Sequence, residues 1–251
     1  MSLKSRLVSF ASQTFPRASS RVLASSGYTL DLDSFGEDAF TVWGADAAGR
    51  QDRAWQPLVA QAIAGDPRED IAALFSALDS LEGANSILEV GCGGGYNSEL
   101  IAHRAPKLSY VGVDLAESMV EISRRTYPNR EFAVASALDL PYDTDSFDVV
   151  MDGVALLHIP DWADAIKEYA RVTAKYVILH GLTLTDDAPT TPFAKYAYGQ
   201  PSRELVFNRT EMLSRCEEAQ LTLQGVYLGD DYDLEDFIGI KSVSETWVLT
   251  V

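Results

Sequence analysis

The sequence predicts an α/β fold, a mostly parallel β-sheet with helices on both faces. Three observations carry this. From residue 87 to residue 180, apolar runs of strand length alternate with helix-length stretches, the rhythm of parallel strands joined by helical crossovers. The first apolar run, Ile87-Leu88-Glu89-Val90, enters a turn carrying Gly91, Gly93, Gly94 and Gly95 and then a helix-forming stretch, Ser98-Glu99-Leu100-Ile101-Ala102. A later run, Tyr110-Val111-Gly112-Val113, ends on Asp114. A ligand of such a sheet binds outside the carboxyl ends of the strands, near the point where strand order reverses.

Residues 28–50 hold Tyr28, Phe35, Phe40 and Trp43 among Asp and Gly without periodicity, and read as irregular. Residues 52–64 and 68–81 read as helices. In the second, Ile71, Leu74, Phe75 and Leu78 recur at helical spacing behind an acidic first turn. Strands are then expected at 87–90, 110–114, 131–135, 147–152 and 176–180, with helices at 97–103, 117–126 and 162–172. After His180 the rhythm breaks. Residues 181–207 carry Pro189, Pro192, Phe193, Tyr196, Tyr198, Pro201 and Phe207, and read as a long aromatic connection of the kind that is more often functional than idle. A helix at 210–219, capped by Thr210 or Asn208, and strands at 221–228 and 246–251 complete the chain. The acidic stretch 230–236 lacks the spacing of an EF-hand and reads as a solvated loop, so no metal site is expected.

With 251 residues, 47% hydrophobic and 23% charged, the chain is one large domain, or a domain with an appendage, and has a full core. We divide it into an N-terminal extension and lid, residues 1–67, and a main domain, residues 68–251, with 181–207 as an insert. The net charge of −17 repels phosphate backbones, so nucleic acid is not expected as a partner. Two cysteines, Cys92 and Cys216, make no disulfide framework, which points to the reducing cytoplasm. No apolar run is long enough to cross a bilayer, so stable membrane insertion is not expected. Residues 1–30 stand apart, with Lys4, Arg6, Arg17 and Arg21 and none of the 37 acids. Leu3, Leu7, Val8 and Phe10 there are spaced for one helical face. The stretch reads as a helix that caps the domain or pairs with a second subunit in a homodimer; a transit peptide or a membrane-surface helix is the alternative.

The glycine turn selects among ligands. Glycines at the end of a strand let backbone N–H groups approach a ligand closely. A dinucleotide fingerprint needs a glycine at its sixth position, where this chain has Tyr96. A phosphate-binding loop needs Gly-Lys-Ser/Thr, and the chain offers Gly95-Tyr96-Asn97. The acidic Glu89 before the turn suits a cation or a hydroxyl-rich nucleoside instead. Asp114, about 20 residues on, is spaced to reach ribose hydroxyls, although an acid there also commonly caps a helix.

Four further runs follow in order: Leu138-Asp139-Leu140-Pro141-Tyr142, Asp145-Ser146-Phe147-Asp148-Val149-Val150-Met151, Leu157-His158-Ile159-Pro160-Asp161 and Glu168-Tyr169-Ala170-Arg171-Val172. Together with the glycine turn and Asp114 they resemble the motifs of class I S-adenosylmethionine-dependent methyltransferases, in particular the ubiquinone/menaquinone-type branch and its small-molecule enzymes. The resemblance covers residues 86–180. It implies a Rossmann-like, seven-stranded, mostly parallel sheet whose last strand is antiparallel, with a helical and irregular N-terminal lid. It implies S-adenosylmethionine as cofactor and a small molecule as methyl acceptor. By the same resemblance, Gly91, Gly93 and Gly95 approach the methionine part of the cofactor, and Glu89 lies under that turn. Asp114 accepts from both ribose hydroxyls, Leu115 and Met119 flank the adenine, and Ser136, Ala137 and Leu138 form its edge. Asp152 and Gly153 line the methionine end. Two positions depart from the family pattern. Ser136 stands where an Asp is common, and a hydroxyl accepts more weakly than a carboxylate. Thr173-Ala174-Lys175-Tyr176 replaces Leu-Lys-Pro-Gly-Gly, which alters the turn into the next strand.

A sulfonium methyl group is already electrophilic, and its leaving group departs neutral. Such an enzyme mainly aligns the acceptor and excludes water. A general base is needed only for a protonated oxygen, nitrogen or acidified carbon. His158, just beyond the strand ending at Asp152, is the favoured base, with a purely structural place at a helix entry as the other reading; His180 is weaker. Tyr28, Trp43, Tyr196 and Tyr198 are candidates for a lid over the acceptor. The expected activity is S-adenosylmethionine-dependent methyl transfer to an O, N or C nucleophile of a small molecule. A non-catalytic S-adenosylmethionine-binding or assembly protein on the same fold is the alternative. A nicotinamide-dependent oxidoreductase is a third, disfavoured by Tyr96.

Overall fold

The computed structural model describes residues 27–33, 40 and 45–251. Residues 1–26, with the basic positions Lys4, Arg6, Arg17 and Arg21, and Trp43 lie outside the described residues. In chain order the elements are β1 (Tyr28–Thr29), α1 (Ala45–Ile63), α2 (Glu69–Asp79), β2 (Ser86–Val90), α3 (Asn97–Arg104), β3 (Ser109–Asp114), α4 (Glu117–Thr126) and β4 (Glu131–Val134). There follow β5 (Phe147–Asp152), a 3-10 turn (Leu156–His158), α5 (Trp162–Val172), β6 (Thr173–Thr185), β7 (Thr191–Ala197) and β8 (Gln200–Asn208). The chain closes with α6 (Arg209–Glu218), β9 (Thr222–Leu228), α7 (Glu235–Ile238) and β10 (Val243–Thr250).

Seven of the strands form the expected sheet, in the order β4-β3-β2-β5-β6-β10-β9. The pairs from β4 to β6 are parallel, and the last strand, β10, is antiparallel to both β6 and β9. The chain winds outward from β2 to β4 and then returns to build β5 and β6 on the other side. The reversal point therefore lies between β2 and β5, where a ligand cleft opens in such sheets.

The strand sequences are nearly continuous apolar runs because both faces are buried. Ile87, Val149, Met151, Ile178 and Val248 pack into one layer with Val59 of α1, Ile71, Leu74 and Leu78 of α2, and Leu100 and Ile101 of α3. Their alternating neighbours Leu88, Val90, Val150, Val177, Leu179, Trp247 and Leu249 pack into the opposite layer with α5 and α6. This is the period of two of a strand applied to a sheet between two helical layers.

The segment 181–207 differs from its expected form. It is not an irregular connection. β6 runs past His180 to Thr185, and β7 and β8 form an antiparallel hairpin. β8 then joins β6 in parallel through Leu184 with Phe207 and Thr185 with Asn208, and β1 adds to the outer edge of β7. The sheet therefore has ten strands, three more than expected. Pro192 and Pro201 sit inside the hairpin ladder, and a proline within a run argues against a strand. α1 likewise begins at Ala45, earlier than its periodicity suggests, because Gly49 and the small residues of its first turns carry no apolar stripe. Asn208 is the cap of α6, accepting from the Glu211 N–H at 3.0 Å. Among the described residues, no helix is long and apolar enough to cross a membrane.

The glycine turn packs closely on α4 and β4. Gly95 has φ +85°, and a Cβ there would stand 2.8 Å from Phe132 Cζ and 2.9 Å from Ser123 Cβ. Gly83 also has a positive φ, +64°, but nothing lies within 4 Å of its Cβ position. Gly95→Ala should destabilise the fold by about 2–4 kcal/mol, from left-handed strain plus overpacking, and Gly83→Ala by about 1–2 kcal/mol from strain alone. Urea unfolding of the two variants side by side measures the difference. Equal losses would show that Gly95 is not sterically confined.

Candidate cofactor and acceptor site

The glycine turn is anchored to β3. The N–H groups of Gly91 and Cys92 both donate to the carbonyl of Val113, at 2.8 and 2.9 Å. Gly91 has φ +72°, and a Cβ there would overlap the side chain of Ala155 in the turn after β5. Asp114 closes the arrangement. Its Oδ2 accepts from the Gly93 N–H at 2.9 Å and its Oδ1 from the Ala116 N–H at 2.8 Å. The carboxylate thus caps α4 and fixes the middle of the turn at once. Burial raises its pKa, against the pull of the two N–H groups and of nearby His158.

Two more carboxyls sit at the strand ends on opposite faces of the sheet. Glu89 is fully buried, with Asn97 Nδ2 donating to Oε1 at 2.7 Å and the Tyr110 hydroxyl donating to Oε2. Oε1 lies 2.5 Å from where a Cβ on Gly153 would be, so only glycine fits there. Burial pushes Glu89 up from 4.5 to about 7 despite both donors. Asp152 faces the other way. Its Oδ1 accepts from the N–H groups of Ala155 and Leu156 at 2.9 and 3.1 Å, and its Oδ2 from the Tyr169 hydroxyl at 2.9 Å. Burial raises it to about 6. Its carboxylate is turned into the protein and shapes the loop that holds Val154 at φ +67°, a strained conformation for a β-branched residue.

α1 and the β7–β8 hairpin cover the turn. Gln51 Oε1 lies 3.1 Å from the Cβ position of Gly93 and is buried with no hydrogen-bond partner. The hairpin reaches α1 through its tip, where Tyr198 and Gly199 have φ +50° and +81°. Arg50 Nε donates to the Tyr198 carbonyl at 2.5 Å, and Trp55 Nε1 donates to the Tyr198 hydroxyl at 3.2 Å. Trp55 in turn stacks on Tyr96 at 4.3 Å and 7°, with the Arg68 guanidinium 4.9 Å from its ring. The side chain that breaks the dinucleotide fingerprint is therefore the platform on which α1 rests.

His158 lies beneath the hairpin. Its Nδ1 is 2.7 Å from the carbonyl of Arg203 and 3.4 Å from Ser202 Oγ. A carbonyl only accepts, so Nδ1 carries the proton and Nε2 is the basic nitrogen. Arg203 has a buried Nε with no hydrogen-bond partner. His180 belongs to the opposite layer. It contacts Thr246 Oγ1 at 2.8 Å, and burial lowers it to about 4, so it stays neutral near pH 7.

Leu115 and Leu138 are 59% and 42% exposed. Met119 is buried against Ala48 and Ala116. The Ser136 hydroxyl accepts from the Leu138 N–H at 3.2 Å and so shapes the local turn containing Ala137. Among the described lid candidates, Tyr198 touches α1. Tyr28 packs on Phe237 at 4.4 Å, in a cluster with Phe193, Val206 and Leu234 that occupies the other face of the hairpin. Tyr196 is 55% exposed and donates its N–H to the Gly27 carbonyl. Sequence does not single out Gln51, Trp55 and Arg203, whose placement depends on contacts with distant segments.

The strand order and the glycine turn at its reversal point define a Rossmann-like fold. A family profile described as a methyltransferase domain matches residues 88–179. Over 104 residues the chain is 36% identical to the demethylmenaquinone methyltransferase of Chlorobaculum tepidum, covering 41% of this chain and 43% of that one. It is 32% identical over 119 residues to the demethylmenaquinone methyltransferase of Lactococcus lactis, covering 45% and 46%. The fold matches a crystal structure of a SAM-dependent methyltransferase from Aquifex aeolicus with a TM-score of 0.57 at 13% identity, over 84% of this chain and 100% of that one. Residues 88–179 thus match a methyltransferase domain, on a fold shared with solved SAM-dependent methyltransferases. The chain spans less than half the length of the curated relatives it matches.

The raised pKa of Glu89 has a thermodynamic signature. Between pH 4.5 and about 7 the folded chain keeps a proton that the unfolded chain has released. Its contribution to stability is complete below pH 4.5, falls as pH rises through 7, and is level above. Glu89→Gln removes this titration. From about pH 4.5 to about pH 8 the stability difference should move by roughly 2–3 kcal/mol in the variant's favour. Urea unfolding across that range measures it. A difference independent of pH would mean that Glu89 titrates normally in the fold.

Proposed function

We propose that the protein transfers a methyl group from S-adenosylmethionine to an O, N or C nucleophile of a small molecule. The observation that carries this is the convergence of the glycine turn, the Asp114 carboxylate and the unpartnered Gln51 carbonyl at the reversal point of the sheet. The residues fit the cofactor. Asp114 keeps lone pairs beyond those given to Gly93 and Ala116 and would accept from the ribose hydroxyls. Gln51 Oε1 would accept from the methionine ammonium and so gain the partner it lacks. Leu115, Met119 and Leu138 would cover the adenine, with Ser136 and Ala137 at its edge. The close packing that Gly91, Gly93, Gly95 and Gly153 permit would set the backbone of the turn against the methionine end, and Glu89 and Asp152 hold their loops in place. When bound, the cofactor supplies a sulfonium methyl group.

His158 takes the role of base. With Nδ1 committed to the Arg203 carbonyl, Nε2 would accept the proton that the acceptor's nucleophilic atom gives up. α1 and the hairpin tip form the cover that keeps water out, in keeping with a division into an N-terminal lid and a main domain. A cytoplasmic setting goes with two buried, unpaired cysteines, Cys92 and Cys216.

S-Adenosylhomocysteine should raise the melting temperature of the full chain by mass action, while NAD should not. A shift with NAD and none with S-adenosylhomocysteine would overturn the reading. Asp114→Ala should weaken S-adenosylhomocysteine binding about 100-fold or more, since it removes the ribose acceptor and frees the turn; calorimetry measures this, and unchanged affinity would remove Asp114 from the site. His158→Ala should keep that affinity. With an acceptor found by screening metabolite pools, its kcat should fall by about 10²–10⁴-fold, and an unaltered kcat would leave His158 a structural role.

A further inference from the structure

One arginine, whose backbone carbonyl contacts His158, is unaccounted for by the methyl-transfer reading. The chain has 37 acids and 20 Lys and Arg residues, so arginines here readily find carboxylates. Arg209 pairs with Asp186 and Glu245, Arg171 with Glu168, and Arg68 with Asp70. Arg203 does not. Its Nε is buried and makes no hydrogen bond, and among the described residues its guanidinium has no carboxylate partner. A buried donor left unsatisfied is costly, and more so on a charged group. Such a cost is retained where a ligand removes it.

The position of Arg203 says which ligand. On β8, Val206 faces the outer cluster with Phe193 and Leu234. Leu205 and Phe207 face the other way, into the layer with Leu156, Leu157 and Trp162. Arg203 alternates with them and shares that inner face. Its own carbonyl holds the His158 ring at 2.7 Å. One residue thus holds the base through its backbone carbonyl and carries a guanidinium on the inner face of the same strand.

We propose that the methyl acceptor carries an oxyanion, a carboxylate or phosphate, which pairs with Arg203 while the nucleophilic atom faces His158 Nε2. This rests on the methyl-transfer reading. The planar fork of an arginine matches both oxyanions with two parallel N–H···O bonds. Binding of the anion would orient the acceptor about a fixed point, leaving its reacting atom at the base.

The test is calorimetry on the full chain. S-Adenosylhomocysteine is titrated first; failure to bind overturns the methyl-transfer reading itself. With that site saturated, benzoate, phenyl phosphate and neutral benzamide are titrated separately. At least one oxyanion should bind about tenfold or more tightly than benzamide, and which one does identifies the group as carboxylate or phosphate. Arg203→Gln should bring that oxyanion to the benzamide level with S-adenosylhomocysteine affinity unchanged. If Arg203→Gln does not hold S-adenosylhomocysteine, Arg203→Lys is used. It keeps the charge and loses the fork, and should weaken the oxyanion about tenfold. With S-adenosylhomocysteine bound, equal affinity for benzamide and both oxyanions, or oxyanion binding indifferent to the substitution at Arg203, overturns the proposal alone.

Discussion

The Asp114 carboxylate is the joint between the first two strands of the sheet and everything built above them. One oxygen takes the Gly93 N–H and the other takes the Ala116 N–H. The glycine turn and the start of α4 therefore share one anchor. Without it, the backbone donors of both would face a low-dielectric interior unpaired. Glu89 and Asp152 repeat the logic at the ends of β2 and β5, each held by donors from the element that follows or flanks it. All three acids are raised by burial. The floor of the cleft is thus held by three carboxyl groups that fix the backbone around them, with Glu89 and Asp152 turned into the protein.

The cover over this floor depends on aromatic packing. Tyr96 supports Trp55, Trp55 supports Tyr198, and Arg50 takes the Tyr198 carbonyl. This chain of contacts joins the glycine turn, α1 and the hairpin tip into a ring around the cleft. A glycine at position 96 would serve close helix–strand packing in a dinucleotide site. The tyrosine gives that up and gains a platform for the helix that brings Gln51 over the turn.

The central sheet was legible because its strands are buried on both faces, and that condition writes continuous apolar runs into the sequence. The reversal point was legible because Gly91, Gly93 and Gly95 need conformations that other residues reach only with strain. The hairpin was hidden by Pro192 and Pro201 and by the distance to its neighbours; β1 contributes only Tyr28 and Thr29 to the ladder. Asp152 could be read as a buried strand-end acid, but not that it turns toward Tyr169 on α5. Gln51 and Arg203 carry no local signal at all. What distinguishes them is an atom left without a partner, a property that exists only once remote segments meet.

The ring around the cleft also dictates when the site exists. Arg50 and Tyr198 are 148 positions apart, and Trp55 and Tyr198 are 143 apart. Closing a loop of that length in an open chain carries an entropy penalty of about 4 kcal/mol or more. The penalty shrinks only after β2 to β6 have drawn the two segments together. Assembly of the cover is then a late event that follows the sheet, as contact order requires. The central strands can form their frame without it, but a chain shortened to those strands would have a floor of carboxyls and no wall facing them.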